Sequence, residues 1–291
     1  MTTLKAGMVF SDWPSSDGHN MLMYPWLSSA RDQFVEHGHR LSGMTIGLIS
    51  LSLAIATLRR DRRPLVRWVA TAIFASVFAQ GMLGGARVLL DQQVLALLHG
   101  DFAALVFSLM AILTLVTSAG WQERSRLSSN DSRIAWIASV LLLATLAVQY
   151  VLGGFLRHLR ERSEFAWAWM VHPWFSLAVL FVAIVFALNV RESRSIHLRR
   201  CGQATIALVV AQLLVGLATW YVKYGVPSWG VVAQQDSTPQ IVICSLHKVV
   251  GMLTLMASVL SVFCCWSVRP LRENHRQSSM SVGTSVAGAI T

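Results

Sequence analysis

Seven stretches of this chain are long and apolar enough to cross a lipid bilayer, near residues 40–58, 66–86, 94–120, 134–156, 165–190, 203–223 and 241–266. A hydrocarbon core of ~30 Å needs ~20 helical residues. Inside it every backbone amide and carbonyl must find its partner within the protein, and a helix does this within one segment. The composition agrees: 54% of the residues are hydrophobic and 13% charged, outside the range of ordinary soluble domains. The expected fold is all-α, a polytopic membrane protein with seven transmembrane helices.

The formal net charge of +10 could point to nucleic acid, but its distribution argues against that partner. Arg59, Arg60, Arg62, Arg63 and Arg67 fill one loop, Arg124, Arg126 and Arg133 a second, Arg191, Arg194, Arg199 and Arg200 a third. Arg269, Arg272 and Arg276 lie in the tail. These loops alternate along the chain, so the excess of arginine on one side marks that side as cytoplasmic. The segments 7–35, 87–93, 157–164 and 224–240 are then expected to face outward. Cys201, Cys264 and Cys265 fall at cytoplasmic helix ends and Cys244 near the outer face, an arrangement that does not suggest a structural disulfide. Trp167, Trp169, Trp174, Trp220 and Trp229 read as an aromatic belt.

Four histidines, His39, His99, His172 and His247, recur within about two turns of the start of alternate apolar stretches, all running in the same direction. An ionisable side chain within a membrane span is rarely without a function. Imidazoles held in pairs at one depth suit the two axial positions of an iron porphyrin. No C-x-x-C-H attachment motif is present, so such a heme would be held without covalent bonds. His19, His197 and His275 fall in loops or the tail and read as solvated.

The helices between carry a second pattern. Gln80-Gly81-Met82-Leu83-Gly84-Gly85, Gln149-Tyr150-Val151-Leu152-Gly153-Gly154 and Gln212-Leu213-Leu214-Val215-Gly216 all read Q-x-x-(L/V)-G, and each precedes a histidine helix. The repeating unit is a glutamine/glycine helix, an outward loop and a histidine helix. Its glycines admit either close helix packing or a flat cofactor. Repeat order pairs His39 with His99 and His172 with His247. Two duplicated four-helix halves require eight helices, and His39 has no glutamine/glycine helix before it. The expectation is therefore two pseudo-symmetric four-helix bundles with the first helix missing, through a late start, a fragment or a genuine loss. The divisions expected are an outward segment 1–35, an N-terminal half-bundle 36–127, a C-terminal half-bundle 128–268 and a cytoplasmic tail 269–291.

Glu36-His37-Gly38-His39-Arg40 is the densest polar cluster at any membrane boundary in the sequence. Glu36 and His39, three apart, share a helical face if the helix begins this early. Arg40 can meet a porphyrin carboxylate or anchor at the interface. The same two readings hold for Arg87, for Arg157 with His158, and for Lys248.

Together these residues resemble the heme A synthase family, whose members convert heme O to heme A for cytochrome oxidases. The matching motifs are Gly7-Met8 and Asp12-Trp13-Pro14, the E-x-x-H-R of Glu36, His39 and Arg40, the repeated Q-x-x-L-G-G, the run from Leu152 to Arg157-His158, and single histidines on alternate helices. The resemblance covers roughly 7–266. It implies that His172 and His247 ligate a resident heme b. It further implies that His39 and His99 hold substrate heme O, with Glu36 catalytic beside the methyl group that becomes a formyl group. Arg40, Arg87, Arg157, His158 and Lys248 would bind the cofactors. The implied setting is the bacterial cytoplasmic membrane and its lipid, with heme O synthase, an electron donor and a second copy of the chain as partners. The chain departs from the family in lacking the outer-loop cysteine pair of some members and in having Lys248 where arginine is usual. The alternatives are a di-heme b-type electron-transfer cytochrome and a heme-handling transporter. Neither needs a carboxylate beside one ligand only, as Glu36 is.

Overall fold

A computed structural model describes residues 8–121, 129–159, 163–193 and 195–267. Gly7, Arg124, Arg126, Arg194, His275 and the whole 269–291 tail with its arginines lie outside the described residues. Seven long helices make up the fold: α1 (Arg31–Arg60), α2 (Pro64–Leu90), α3 (Gln93–Thr117), α4 (Ser129–His158), α5 (Ala168–Val190), α6 (Ile196–Tyr224) and α7 (Thr238–Ser267). All seven are long and apolar enough to cross a membrane, and the chain is a polytopic all-α membrane protein.

The helices overrun the apolar stretches at most ends. A helix of 27 residues, the length of α2, is about 40 Å long at 1.5 Å per residue, against a ~30 Å hydrocarbon core. Its last turns therefore stand in the interface, where polar side chains are tolerated but the backbone still gains from helical hydrogen bonding. This corrects two expected loops. Arg87 lies in the last turn of α2, and Arg157 and His158 in the last turn of α4. Asp91 ends α2 in the left-handed conformation, φ 46° and ψ 42°, which Asp and Asn adopt more readily than other non-glycine residues. At the other extreme α1 starts at Arg31, so Glu36, His37 and His39 are all helical.

Hydroxyl groups within the spans are satisfied locally. Ser42 donates to the Gly38 carbonyl at 2.7 Å, Thr45 to Leu41 at 2.9 Å and Thr71 to Arg67 at 2.9 Å, which keeps these polar atoms from facing lipid unpaired. The helices α4, α5, α6 and α7 form a closed ring in which α4 packs against α7, while α1, α2 and α3 form a row that joins the ring through α3. Two cores hold this arrangement. One gathers Ala138, Leu142, Val179, Phe186 and Val209 within the ring. The other places Val69, Ala70, Ile73 and Ile112 against Val259 and Phe263. Both use the early part of α2, α4 and α6 and the late part of α3, α5 and α7. The packed interior thus lies in the half of the bundle away from the four histidines. At the histidine end Trp169 packs on Trp220, ring centroids 5.1 Å apart.

In lipid, helices associate through shape rather than through hydrophobic transfer, so small residues at contacts matter most. At Gly202 an added Cβ would stand 2.5 Å from Val190 Cγ2 and 3.5 Å from the Ala187 Cα. Gly202→Leu should force α5 and α6 apart and lower stability by ~1–3 kcal/mol. Thermal unfolding in detergent reads this directly; an unchanged midpoint would show that the α5–α6 contact is not close.

Candidate functional site

The segment before α1 folds back onto the start of that helix and is fastened by the E-x-x-H-R cluster. Glu36 is 4% exposed. One carboxylate oxygen accepts from the Val9 amide at 2.7 Å and the other from the Arg40 guanidinium at 2.7 Å. Arg40 also donates to the carbonyls of Asp12 and Ser15. The three residues between Glu36 and Arg40 complete almost one helical turn, so an ion pair at this spacing is short. Inside the loop, the Asp12 carboxylate accepts from the Asp17 and Gly18 amides at 3.0 and 2.9 Å. Burial opposes its ionisation, but these bonds and one from the Ser15 side chain outweigh that and hold its pKa at about 2.

His37, on the next face of α1, is 1% exposed. It lies within hydrogen-bond distance of Ser16 Oγ through Nδ1, 2.9 Å, and packs on Tyr24 at 4.7 Å between ring centroids. It holds the loop. A cavity of about 520 Å³ runs beside it, lined by Tyr24, Trp26 and Leu41, and touches none of the four recurring histidines.

The structure brings those four together as two pairs. The ring centroids of His39 and His99 are 6.2 Å apart with an interplanar angle of 84°. Those of His172 and His247 are 6.3 Å apart at 82°. A first-row metal bonds imidazole nitrogen at about 2.0–2.1 Å and the ring centroid lies about 1.1 Å behind that nitrogen, so a linear N–metal–N unit separates centroids by about 6.3 Å. Each pair has the spacing to hold one metal atom between its rings. Among the described residues no three His, Cys, Asp or Glu side chains gather around one point. Each site thus offers two axial nitrogens and leaves the equatorial plane open, which is the complement of an iron porphyrin with its own ring of nitrogens.

Three of the rings rest on glycine. A Cβ at Gly84 would stand 3.1 Å from His99 Cε1, at Gly153 3.3 Å from His172 Cε1, and at Gly216 3.2 Å from His247 Cε1. These are the first glycines that follow the glutamines at a spacing of four. Gln80 donates its side-chain amide to the His99 backbone carbonyl at 2.8 Å, and Gln149 does the same to His172 at 2.9 Å. Gln212 approaches His247 differently, with its amide nitrogen 3.4 Å from the ring Nε2. Residues four apart share a helix face, so one motif supplies both a clamp and a flat surface for the histidine of the next helix. The Gln80 backbone carbonyl lies 3.2 Å from His99 Nδ1. A carbonyl only accepts, so this contact places the ring proton on Nδ1 and leaves Nε2 for a metal. The Nδ1 atoms of His172 and His247 and the side-chain oxygens of Gln80, Gln149 and Gln212 are buried without hydrogen-bond partners.

Charged groups distinguish the two pairs. Arg87 acts on both His39 and His99, and Lys248 acts on His99. Among the described residues, the only ionisable group that acts on His247 is His172. Lys248 follows His247 in sequence, yet about 100° of helical rotation separates the two side chains. Its Nζ lies 3.3 Å from where a Cβ of Gly100 would stand, and His158 Nε2 lies 3.4 Å from the same point. Asp101, which sequence reasoning missed, lies beside them and interacts with Lys248 and Arg157. Its signal was present: a carboxylate within an apolar stretch two residues from a candidate ligand.

No curated protein and no solved structure matches the chain. A family model described as cytochrome oxidase assembly protein, COX15-CtaA, matches residues 18–171. That segment is more than half of the 291 residues; it spans Glu36, His39, Gln80, His99, Gln149 and His158 and ends one residue short of His172. The chain belongs to this family of cytochrome oxidase assembly proteins.

Proposed function

We propose that this chain is a heme A synthase, an oxidoreductase that converts a methyl group of heme O to a formyl group and so supplies heme A for cytochrome oxidase. The observation that carries the proposal is the pair of histidine sites, alike in spacing and unlike in surroundings. Among the described residues, Glu36, Arg87 and Lys248 act on the first pair, and the loop before α1 is fastened to Glu36 beside it. In this reading His172 and His247 hold a resident heme b, and His39 and His99 hold heme O as substrate. A resident heme supplies one-electron transfer at a potential set by its ligands and burial. The methyl group passes through an alcohol to a geminal diol, which loses water to give the formyl group. Each oxidation takes one dioxygen, two electrons and two protons, places one oxygen atom on the carbon and releases the other as water. An outside electron donor supplies the electrons.

Within the chain, Glu36 is assigned the proton transfers at the reacting carbon, while Arg40 and the Val9 amide orient its carboxylate. Arg40 serves the substrate indirectly, since its guanidinium is engaged by Glu36 and by the loop carbonyls. Arg87, Arg157, His158 and Lys248 are assigned to the porphyrin carboxylates. The arginine-rich loops are assigned to the cytoplasmic side of a bacterial membrane.

Pigment extraction tests the central assignment. Purified protein should carry heme b together with heme O, its alcohol or heme A, and the variant with both His172→Ala and His247→Ala should lose the low-spin bis-histidine spectrum of the resident heme. Heme b alone at both sites would make the chain an electron-transfer cytochrome instead. Glu36→Gln keeps the size of the side chain and an acceptor for Val9, and should retain the resident heme while formyl production falls ~10²-fold, the lower range for loss of a general acid–base group. Chromatography of the extracted hemes would show heme O or the alcohol accumulating; unimpaired conversion would leave Glu36 as the fastening of the loop. For orientation, a membrane-impermeant maleimide added to intact cells should label Ser11→Cys and spare Arg62→Cys, both positions being exposed. The opposite pattern would invert the topology.

A further inference from the structure

Two of the buried groups beside His99 come from the C-terminal half of the chain. Lys248 belongs to α7 and His158 to α4, both members of the four-helix ring, yet both reach Gly100, the residue after His99 on α3. A Cβ at position 100 would already touch both, and a longer side chain would displace them, so the glycine leaves the space into which the two groups project. Arg87 enters the same region from α2, and its Nε is buried without a hydrogen-bond partner. Charges act between these groups as well: His158 interacts with Arg157, Lys248, Arg87 and His99. The Asp101 carboxylate lies against α4, where a Cβ at Gly154 would stand 2.7 Å from one of its oxygens. It supplies negative charge facing Lys248. Buried cations are stable only with partners. Arg87, Arg157 and Lys248 carry three positive charges against the one of Asp101, and His158 adds a neutral or positive donor. A ligand that presents carboxylates here would supply the missing negative charge through charge-assisted hydrogen bonds.

We propose that Lys248 and His158, carried by the C-terminal ring, complete the N-terminal histidine site: with Arg87 they bind the carboxylates of the porphyrin held between His39 and His99, and Asp101 positions Lys248. This rests on the reading of that pair as a porphyrin site and departs from sequence order, which would give Lys248 to the heme of its neighbour His247. On this reading the carboxylates of the resident heme do not depend on Lys248. The N-terminal site cannot form from α1–α3 alone.

The test titrates the purified full-length chain with iron protoporphyrin IX and, separately, with its dimethyl ester, following the Soret band. Binding that disappears in His99→Ala is assigned to the N-terminal pair. Lys248→Met should weaken that binding about tenfold, ~1.4 kcal/mol. It should leave binding of the dimethyl ester unchanged, and leave the content, spectrum and midpoint potential of the heme on His172 and His247 as they are. That retained spectrum also shows that the variant is folded, and Lys248→Arg should restore most of the affinity. Asp101→Asn should weaken binding in the same direction by a smaller factor. Unchanged binding in Lys248→Met, an equal loss with the dimethyl ester, or a shift confined to the resident heme would overturn the proposal. Porphyrin binding with the expected pattern but no formyl product in cells would remove the synthase reading and leave this site standing. Normal conversion together with unchanged binding in Lys248→Met would do the reverse. A chain that takes up no porphyrin at His39 and His99 refutes both.

Discussion

The contact between an imidazole ring and a glycine of the preceding helix sets the geometry of the histidine end. A ring laid edge-on against a helix backbone needs the absence of a Cβ, and at Gly84, Gly153 and Gly216 the clearance is 3.1–3.3 Å to the Cε1 atom. With that edge fixed, the partner ring arrives from the other histidine helix of the pair, two helices away in chain order, α1 with α3 and α5 with α7. The cores that hold the helices together are at the far end, so the histidine end is free to keep its helices apart by the thickness of a flat ligand. Tight packing and an open site coexist because they occupy different halves of the same helices.

In α2 and α4 the glycine four after the glutamine and the glycine after it divide their work. In α4, Gly153 lies behind His172 while Gly154 lies against Asp101 and Leu97 of α3. One helix is thereby a wall of both sites, and a displacement of α4 would be felt at each. In α2 the corresponding second glycine, Gly85, instead admits the Trp13 ring from the loop before α1. That ring, the Glu36–Arg40 pair and His37 tie the loop over the N-terminal site. The loop between α6 and α7 is fastened by Gln240 instead, which accepts from the Asp236 amide at 2.8 Å and donates to the Val222 carbonyl at 3.2 Å, and the ionisable groups that act on the two pairs differ. In the proposed reading, equal spacing would give the two sites the capacity for the same ligand, and unequal surroundings would give them different potentials and specificity.

Much of the architecture was legible in the sequence because membrane insertion leaves few options. Seven apolar stretches became seven helices, and histidines at one depth of alternate stretches met in pairs. The glutamine/glycine repeat pointed to an internal unit, although its physical sense, a clamp on the histidine carbonyl and a flat rest for the ring, required the neighbouring helix to be in place. Helix ends were misjudged at Arg87, Arg157 and His158, since hydropathy marks the hydrocarbon core and not the interfacial turns beyond it. The reach of Lys248 was hidden for another reason. Chain order places it beside His247, whereas the rotation of α7 directs it to α3, and only the packing of the two halves reveals what it meets.

The seam between the halves shows why the charged groups there are carried by several helices. A lysine, an arginine and a carboxylate buried on one helix could satisfy one another by local pairing and would leave nothing for a ligand. Spread over α2, α3, α4 and α7, they cannot neutralise one another completely: Arg87 Nε and the Tyr150 hydroxyl remain buried without partners, and Gly100 and Gly154 hold space open where side chains would otherwise close it. Leaving such groups unpaired destabilises a fold by ~1–3 kcal/mol each. That cost is consistent with a site whose full set of partners includes a ligand: in the proposed reading, a porphyrin carboxylate would pair the groups that the helices leave unpaired.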